Sequence, residues 1–161
     1  MCGIAGVISQ GRNNNLLGLV KKMSDVLAHR GPDGDGQWLN EMGNVALAHR
    51  RLSILDLSIA GKQPMHYLDR YTITFNGEIY NYLEIKETLL AKGYHFKSNS
   101  DTEVLLALYD YKKENCLADL DGMFAFAIWD KVTQELFCAR DRFGEKPFYY
   151  HTDSDKSFYF A

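Results

Sequence analysis

The sequence predicts an α+β protein in which antiparallel sheets pack against helices. Two observations carry that expectation. Strand patterns run together at both ends of the 161-residue chain and helical patterns fill the middle, with no sustained strand–helix–strand alternation. Aromatics reach 13% and concentrate in the second half, as expected of packed sheet faces. The length suits one domain with a sizeable core.

In chain order, a strand is predicted over 3–9. A helix follows, with Leu16, Val20, Met23 and Leu27 on one face. His29 to Gly36 holds three glycines and Pro32 and reads as a loop. Short strands fit 37–40 and 45–51. Over 71–76, Tyr71, Ile73 and Phe75 alternate with Thr72, Thr74 and Asn76, a half-buried strand. Asn81 is a good N-cap, with Glu84 three residues on, for a second helix ending at Gly93. A short strand is expected over 94–97. Ser100 and Glu103 form a capping box for a third helix, with Val104, Leu105, Leu108 and Tyr111 or Lys112 at helical spacing. Phe124, Phe126 and Ile128 alternate with Ala125, Ala127 and Trp129, and the alanine face is expected to allow close approach of another layer. Strands over 135–140, 148–151 and 157–160 complete the set. The last of these stops in mid-pattern at Ala161, which is expected to mark an imposed boundary rather than a natural end.

Composition narrows the function classes. Hydrophobic residues make up 46% and charged residues 24%, the net charge is −3, and there is no long basic run, so neither a nucleic-acid surface nor an anionic membrane is favoured. No signal peptide or membrane span is legible. Cys2, Cys116 and Cys138 have no CxxC or Cys/His metal spacing, which points to a cytoplasmic protein with reduced thiols and no metal site, Cys116 and Cys138 being small core residues. Asp33-Gly34-Asp35-Gly36 departs from a calcium loop, because Gln37 replaces the third acid and Asn44 the closing Glu.

Cys2 is the candidate nucleophile. Met1 before a small residue is a setting for removal of the initiator, which would put a thiol and a free α-amine on one residue. That amine has an ordinary pKa of roughly 7.7–8.0 and can serve as base. A Cys at position 2 is a weak signal alone. Taken with CGIAG (2–6), HRGPDG (29–34), RLSILD (51–56), FNGEIYN (75–81), SDTEVLL (100–106), DGMFAFAIWD (121–130) and RDRFGEKPFYY (140–150), the whole chain resembles the class II glutamine amidotransferase domain of asparagine synthetases.

The resemblance implies a four-layer αββα N-terminal-nucleophile hydrolase fold, with two antiparallel sheets between helices. It implies that Cys2 attacks the side-chain amide of L-glutamine, with Asn76 and the backbone N–H of Gly77 as oxyanion hole. Asn76 is expected to end a strand and Gly77 to begin a loop; a tight Asn-Gly hairpin is the bland alternative. Arg51 would grip the substrate carboxylate, Asp101 with Glu78 nearby would take the ammonium group, and Leu52, Ser53 and Ile54 would line the pocket. Arg50 reads as surface. HRGPDG resembles a loop covering the site, its glycines supplying unusual backbone angles; His29, Arg30 and the RDRFG stretch read as structural. No GxGxxG, P-loop or SGGxDS-type loop is present. The expected domain therefore spans 1–161 without a cofactor of its own, and ATP and Mg belong to a C-terminal synthetase domain that these residues do not include. A homodimer is left open. The alternatives are the same chemistry serving a sugar-phosphate or polysaccharide acceptor, or a non-catalytic relative, which would be expected to have lost residues that are all present here.

Overall fold

A computed structural model describes residues 1–11, 13–52 and 61–161. Among these residues, nine strands form two antiparallel sheets. The first has the order β2-β3-β1-β9-β8, from β1 (Gly3–Ile8), β2 (Gly34–Leu39), β3 (Val45–Arg51), β8 (Tyr150–Thr152) and β9 (Phe158–Phe160). The second has the order β4-β5-β6-β7, from β4 (Met65–Tyr67), β5 (Tyr71–Ile79), β6 (Gly122–Asp130) and β7 (Glu135–Arg140). Helix α1 (Leu16–Val26) covers the outer face of the first sheet; α2 (Tyr82–Leu90) and α3 (Asp101–Lys112) cover that of the second.

Period-two alternation builds these layers. In β1, Ala5 and Val7 face Leu16 and Val20 of α1, while Ile4 faces the opposing sheet. In β3, Ala46 and Ala48 face α1 and Val45 and Leu47 face inward. In β6, Phe124, Phe126 and Ile128 pack under α2 and α3, while Ala125, Ala127 and Trp129 form the inter-sheet core. The alanine face thus does what its small side chains suggest.

Several local expectations need correction. Residues 94–97 form no strand. Glu103 does not close a capping box: Ser100 Oγ accepts from Thr102 N, but the Glu103 carboxylate reaches past it to Lys97 N, Ser98 N and Ser98 Oγ, fixing that segment as an irregular turn. Asn81 makes no side-chain cap; its amide bridges Asp119 O and Asp121 N, tying α2 to the start of β6. Through residue 109 helix α3 is buried, so its sidedness is lost, and Tyr111 is exposed. Strand β4 has no counterpart among the expectations, because three residues are too few to show alternation.

Candidate active site

The site lies where β5 outlives its neighbour. Strand β4 pairs with β5 only as far as Met65 opposite Ile73, so the edge of β5 beyond Ile73 has no strand partner among the described residues. On the other side β6 pairs along the full length of β5, Asn76 opposite Ala125 and Gly77 opposite Phe124. Neither the strand end expected at Asn76 nor the alternative hairpin occurs; both residues lie inside one nine-residue strand. Gly77 is a glycine because β6 crosses so near: a Cβ there would stand 2.3 Å from Met123 O and 2.8 Å from Phe124 Cα.

Alternation of the ladder decides where the N–H groups of β5 point. Phe75 N donates to Gln63 Oε1 at 2.6 Å and Ile79 N to Asp101 Oδ2 at 3.0 Å, both on the edge away from β6. Gly77 lies between them with the same parity, so its N–H points to that edge, and it has no partner among the described residues. The side-chain amide of Asn76, 4% exposed, also has none. Two unused donors on adjacent residues therefore border one cavity of about 110 Å³.

Cys2, at the foot of β1, lines the same cavity. Its Sγ accepts from Leu52 N at 3.4 Å and lies 3.6 Å from Leu52 O. Arg30 Nε donates to Cys2 O at 3.0 Å and holds the backbone from behind. Arg30 can reach because Gly31 crosses directly over β3: a Cβ on Gly31 would stand 2.4 Å from Arg50 C. Gly31 and Gly36 therefore serve close approach, a Cβ on Gly36 falling 1.9 Å from Gln63 O, whereas Gly34 has room for one; none of the three has positive φ, and the HRGPDG segment buttresses Cys2 without lining the cavity. The other two thiols are held protonated, since burial pushes Cys116 and Cys138 up to about 12.

Arg51, Leu52, Glu78 and Asp101 all line the cavity, as the sequence anticipates. Ser53 and Ile54 lie outside the described residues. Asp101 is 4% exposed; burial raises its pKa, as does the nearby charge of Glu78, against the hydrogen bonds it accepts. It caps a strand edge as well as facing the cavity. Arg50 is not a surface residue: its Nε donates to Ser24 O and Oγ at 3.0 Å, and it pairs with Asp25, pinning β3 to α1.

Sequence reasoning missed three wall residues. His49 is 2% exposed, and its Nε2 donates to Phe75 O at 3.1 Å, joining the two sheets beside Asn76. Burial, with a smaller contribution from the Arg51 charge, lowers its pKa to about 4, so the ring is neutral. Gln63 bridges from Phe75 N toward Thr102 Oγ1. Lys146, 5% exposed, places Nζ 3.1 Å from Met1 Sδ. Burial on a helical or strand pattern would have flagged none of them, because two are polar residues in irregular segments and His49 sits in an alanine-rich strand. Among the described residues no cluster of His, Cys, Asp or Glu could hold a metal, and no helix is long and apolar enough to cross a membrane.

A thiol at a strand terminus facing two unpartnered donors is the arrangement of an acyl-transfer site. Comparison with known proteins agrees. Residues 1–161 match the family model described as a glutamine amidotransferase domain, and the chain belongs to that family. It is 48% identical to asparagine synthetase (glutamine-hydrolyzing) 1 of Bacillus subtilis, over 99% of this chain and 25% of that protein. It is 42% identical to the putative asparagine synthetase (glutamine-hydrolyzing) 2 of Methanocaldococcus jannaschii, over 97% of this chain and 33% of that protein. The chain thus spans about a quarter to a third of the length of these relatives. The solved glutamine phosphoribosylpyrophosphate amidotransferase of B. subtilis, complexed with ADP and GMP, superposes with a TM-score of 0.82 over 99% of this chain and 41% of that one. At 20% identity it establishes the fold, two antiparallel sheets between helices.

Proposed function

We propose that this chain hydrolyses L-glutamine to glutamate and ammonia, with Cys2 as nucleophile once Met1 has been removed. The observation that carries the reading is the convergence of Cys2 Sγ, the Asn76 amide and the Gly77 N–H on one cavity. In the first step the Cys2 α-amine takes the thiol proton and Sγ attacks the substrate amide carbon. The resulting oxyanion accepts hydrogen bonds from Asn76 Nδ2 and Gly77 N. Collapse breaks the C–N bond, and the proton held by the amine leaves with ammonia. Water then cleaves the thioester to give glutamate, and the thiol is restored.

Arg51 would bind the α-carboxylate of glutamine and Asp101, with Glu78, its α-ammonium group, while Leu52, Ser53 and Ile54 line the pocket. In the longer protein the ammonia would pass to a C-terminal synthetase domain that uses ATP and Mg to convert aspartate to asparagine, in the cytoplasm. The names of the relatives support that acceptor.

The test is the intact mass of the protein before and after exposure to a diazo-ketone analogue of glutamine. A Met1-free chain gaining one adduct at Cys2 supports the reading. A Met1-free chain that gains no adduct and releases no ammonia from glutamine overturns it. Material that retains Met1 is first trimmed with methionine aminopeptidase and measured again.

A further inference from the structure

The wall of the cavity carries more charge than substrate recognition uses. Two acids face it, Glu78 from β5 and Asp101 from α3, and two cations, Arg51 from β3 and Lys146 from the segment after β7; His49, also on β3, is neutral. Arg51, Glu78 and Asp101 match the two charges of a free amino acid. Lys146 has no such duty, yet it is the most deliberately placed of the four. Asp141 fixes its backbone: that carboxylate accepts from Phe124 N, Phe143 N, Glu145 N and Lys146 N at 2.8–3.2 Å, folding the RDRFGEK stretch against the start of β6. The side chain then runs to the N-terminus of the chain, where its one partner among the described residues is the thioether of Met1. A thioether is a weak acceptor for an ammonium group, and it leaves with Met1.

We propose that Lys146 keeps the α-amine of Cys2 unprotonated near neutral pH, and so available as the base that activates the thiol. The inference rests on the reading of Cys2 as an N-terminal nucleophile. Met1 Sδ is separated from Cys2 N by five bonds, which span at most about 6 Å. With Nζ 3.1 Å from that sulfur, Lys146 stands within about 9 Å of the nitrogen that becomes the α-amine. A cation at that distance across a partly buried site lowers the pKa of an amine by about one unit. The acids act the other way: Glu78 and Asp101 favour the protonated α-ammonium, a form with no lone pair to accept the thiol proton. Two cations oppose those acids without competing for the substrate, Arg30, whose Nε donates to Cys2 O at 3.0 Å from behind the strand, and Lys146, which faces the cavity; Lys146 acts through the amine rather than touching the reacting atoms.

The experiment measures kcat/KM for glutamine hydrolysis against pH in the Met1-free protein and in Lys146→Met and Lys146→Arg. Loss of the charge is expected to move the acidic limb upward by about one pH unit, so that activity at pH 7 falls up to tenfold and recovers at pH 9. Lys146→Arg is expected to keep the wild-type limb. A limb that stays in place in Lys146→Met, with activity reduced equally at every pH, overturns the inference and leaves the glutaminase reading intact. Absence of hydrolysis in the wild-type protein overturns the glutaminase reading itself. If Lys146→Met does not fold, NMR titration of the ¹⁵N-labelled Cys2 α-amine in the wild-type protein decides: a pKa below the ordinary range of roughly 7.7–8.0 is expected, and a value within or above it refutes the proposal.

Discussion

Replacing Asn76 by Ala separates catalysis from folding. The side-chain amide is buried yet has no partner among the described residues, so removing it breaks no hydrogen bond to any of them. No donor or acceptor is orphaned, and the strand pairing of Asn76 with Ala125 through the backbone is unaffected. Stability should therefore change by no more than about 1 kcal/mol. The transition state loses one of two donors, because Gly77 N–H remains. Removal of a single oxyanion donor costs on the order of 10²–10³ in kcat, about 3–4 kcal/mol.

The assay is steady-state ammonia release from glutamine by the Met1-free protein, paired with urea unfolding. The expected pattern is a fall of 10²–10³ in kcat, little change in KM and an unchanged unfolding midpoint. An unchanged kcat with a raised KM would place Asn76 in ground-state binding and refute the oxyanion assignment. A large loss of stability would refute the claim that its amide is unpartnered.

Two further outcomes concern pH and stability. His49 has a folded pKa of about 4 against 6.5 unfolded, so between those values the unfolded chain binds the extra proton. Stability is whole above pH 6.5 and falls by about 3 kcal/mol as pH drops to 4; His49→Gln should abolish that slope in urea titrations, and an unchanged slope would remove His49 as its source. Asp141→Asn puts an NH₂ group among four converging backbone N–H groups and should cost about 3 kcal/mol in urea unfolding. Burial works against the Asp141 charge, but those four donors outweigh it and hold its pKa below the usual carboxylate range, so its share of stability is present at neutral pH and is lost only as pH falls below about 4, beneath the His49 window.

Much of this was legible in the residues, for reasons that differ by element. The layers could be read because side-chain size alternates with period two: Ala125 and Ala127 against Phe124 and Phe126 announce one tight and one bulky face. Cys2, Arg51, Leu52, Glu78 and Asp101 could be assembled because motifs carried them, and the structure brings them around one cavity. What could not be read depends on distance in sequence. Glu103 has the spacing of a capping box, but Ser98 N, Ser98 Oγ and Lys97 N offer it more donors than Ser100 N does, and nothing local decides between them. Lys146 looks like any lysine after a turn until Asp141, held by the start of β6, sets its direction 145 residues away from Met1.

The position of the two donors proposed to hold the oxyanion follows from a conflict between the sheet and the chemistry. A continuous β4 would have taken every outward N–H of β5 into its ladder and stabilised the sheet by doing so. Because β4 begins only at Met65, three N–H groups, at Phe75, Gly77 and Ile79, have no strand partner among the described residues. The protein satisfies the first and third with the side chains of Gln63 and Asp101, which come from separate segments and could each be lost independently. The middle one has no partner among the described residues, and there the opposing strand comes so close that only glycine fits. A fold seeking stability alone would have filled all three; filling two and sparing the one beside Asn76 and Cys2 is what the proposed oxyanion site requires.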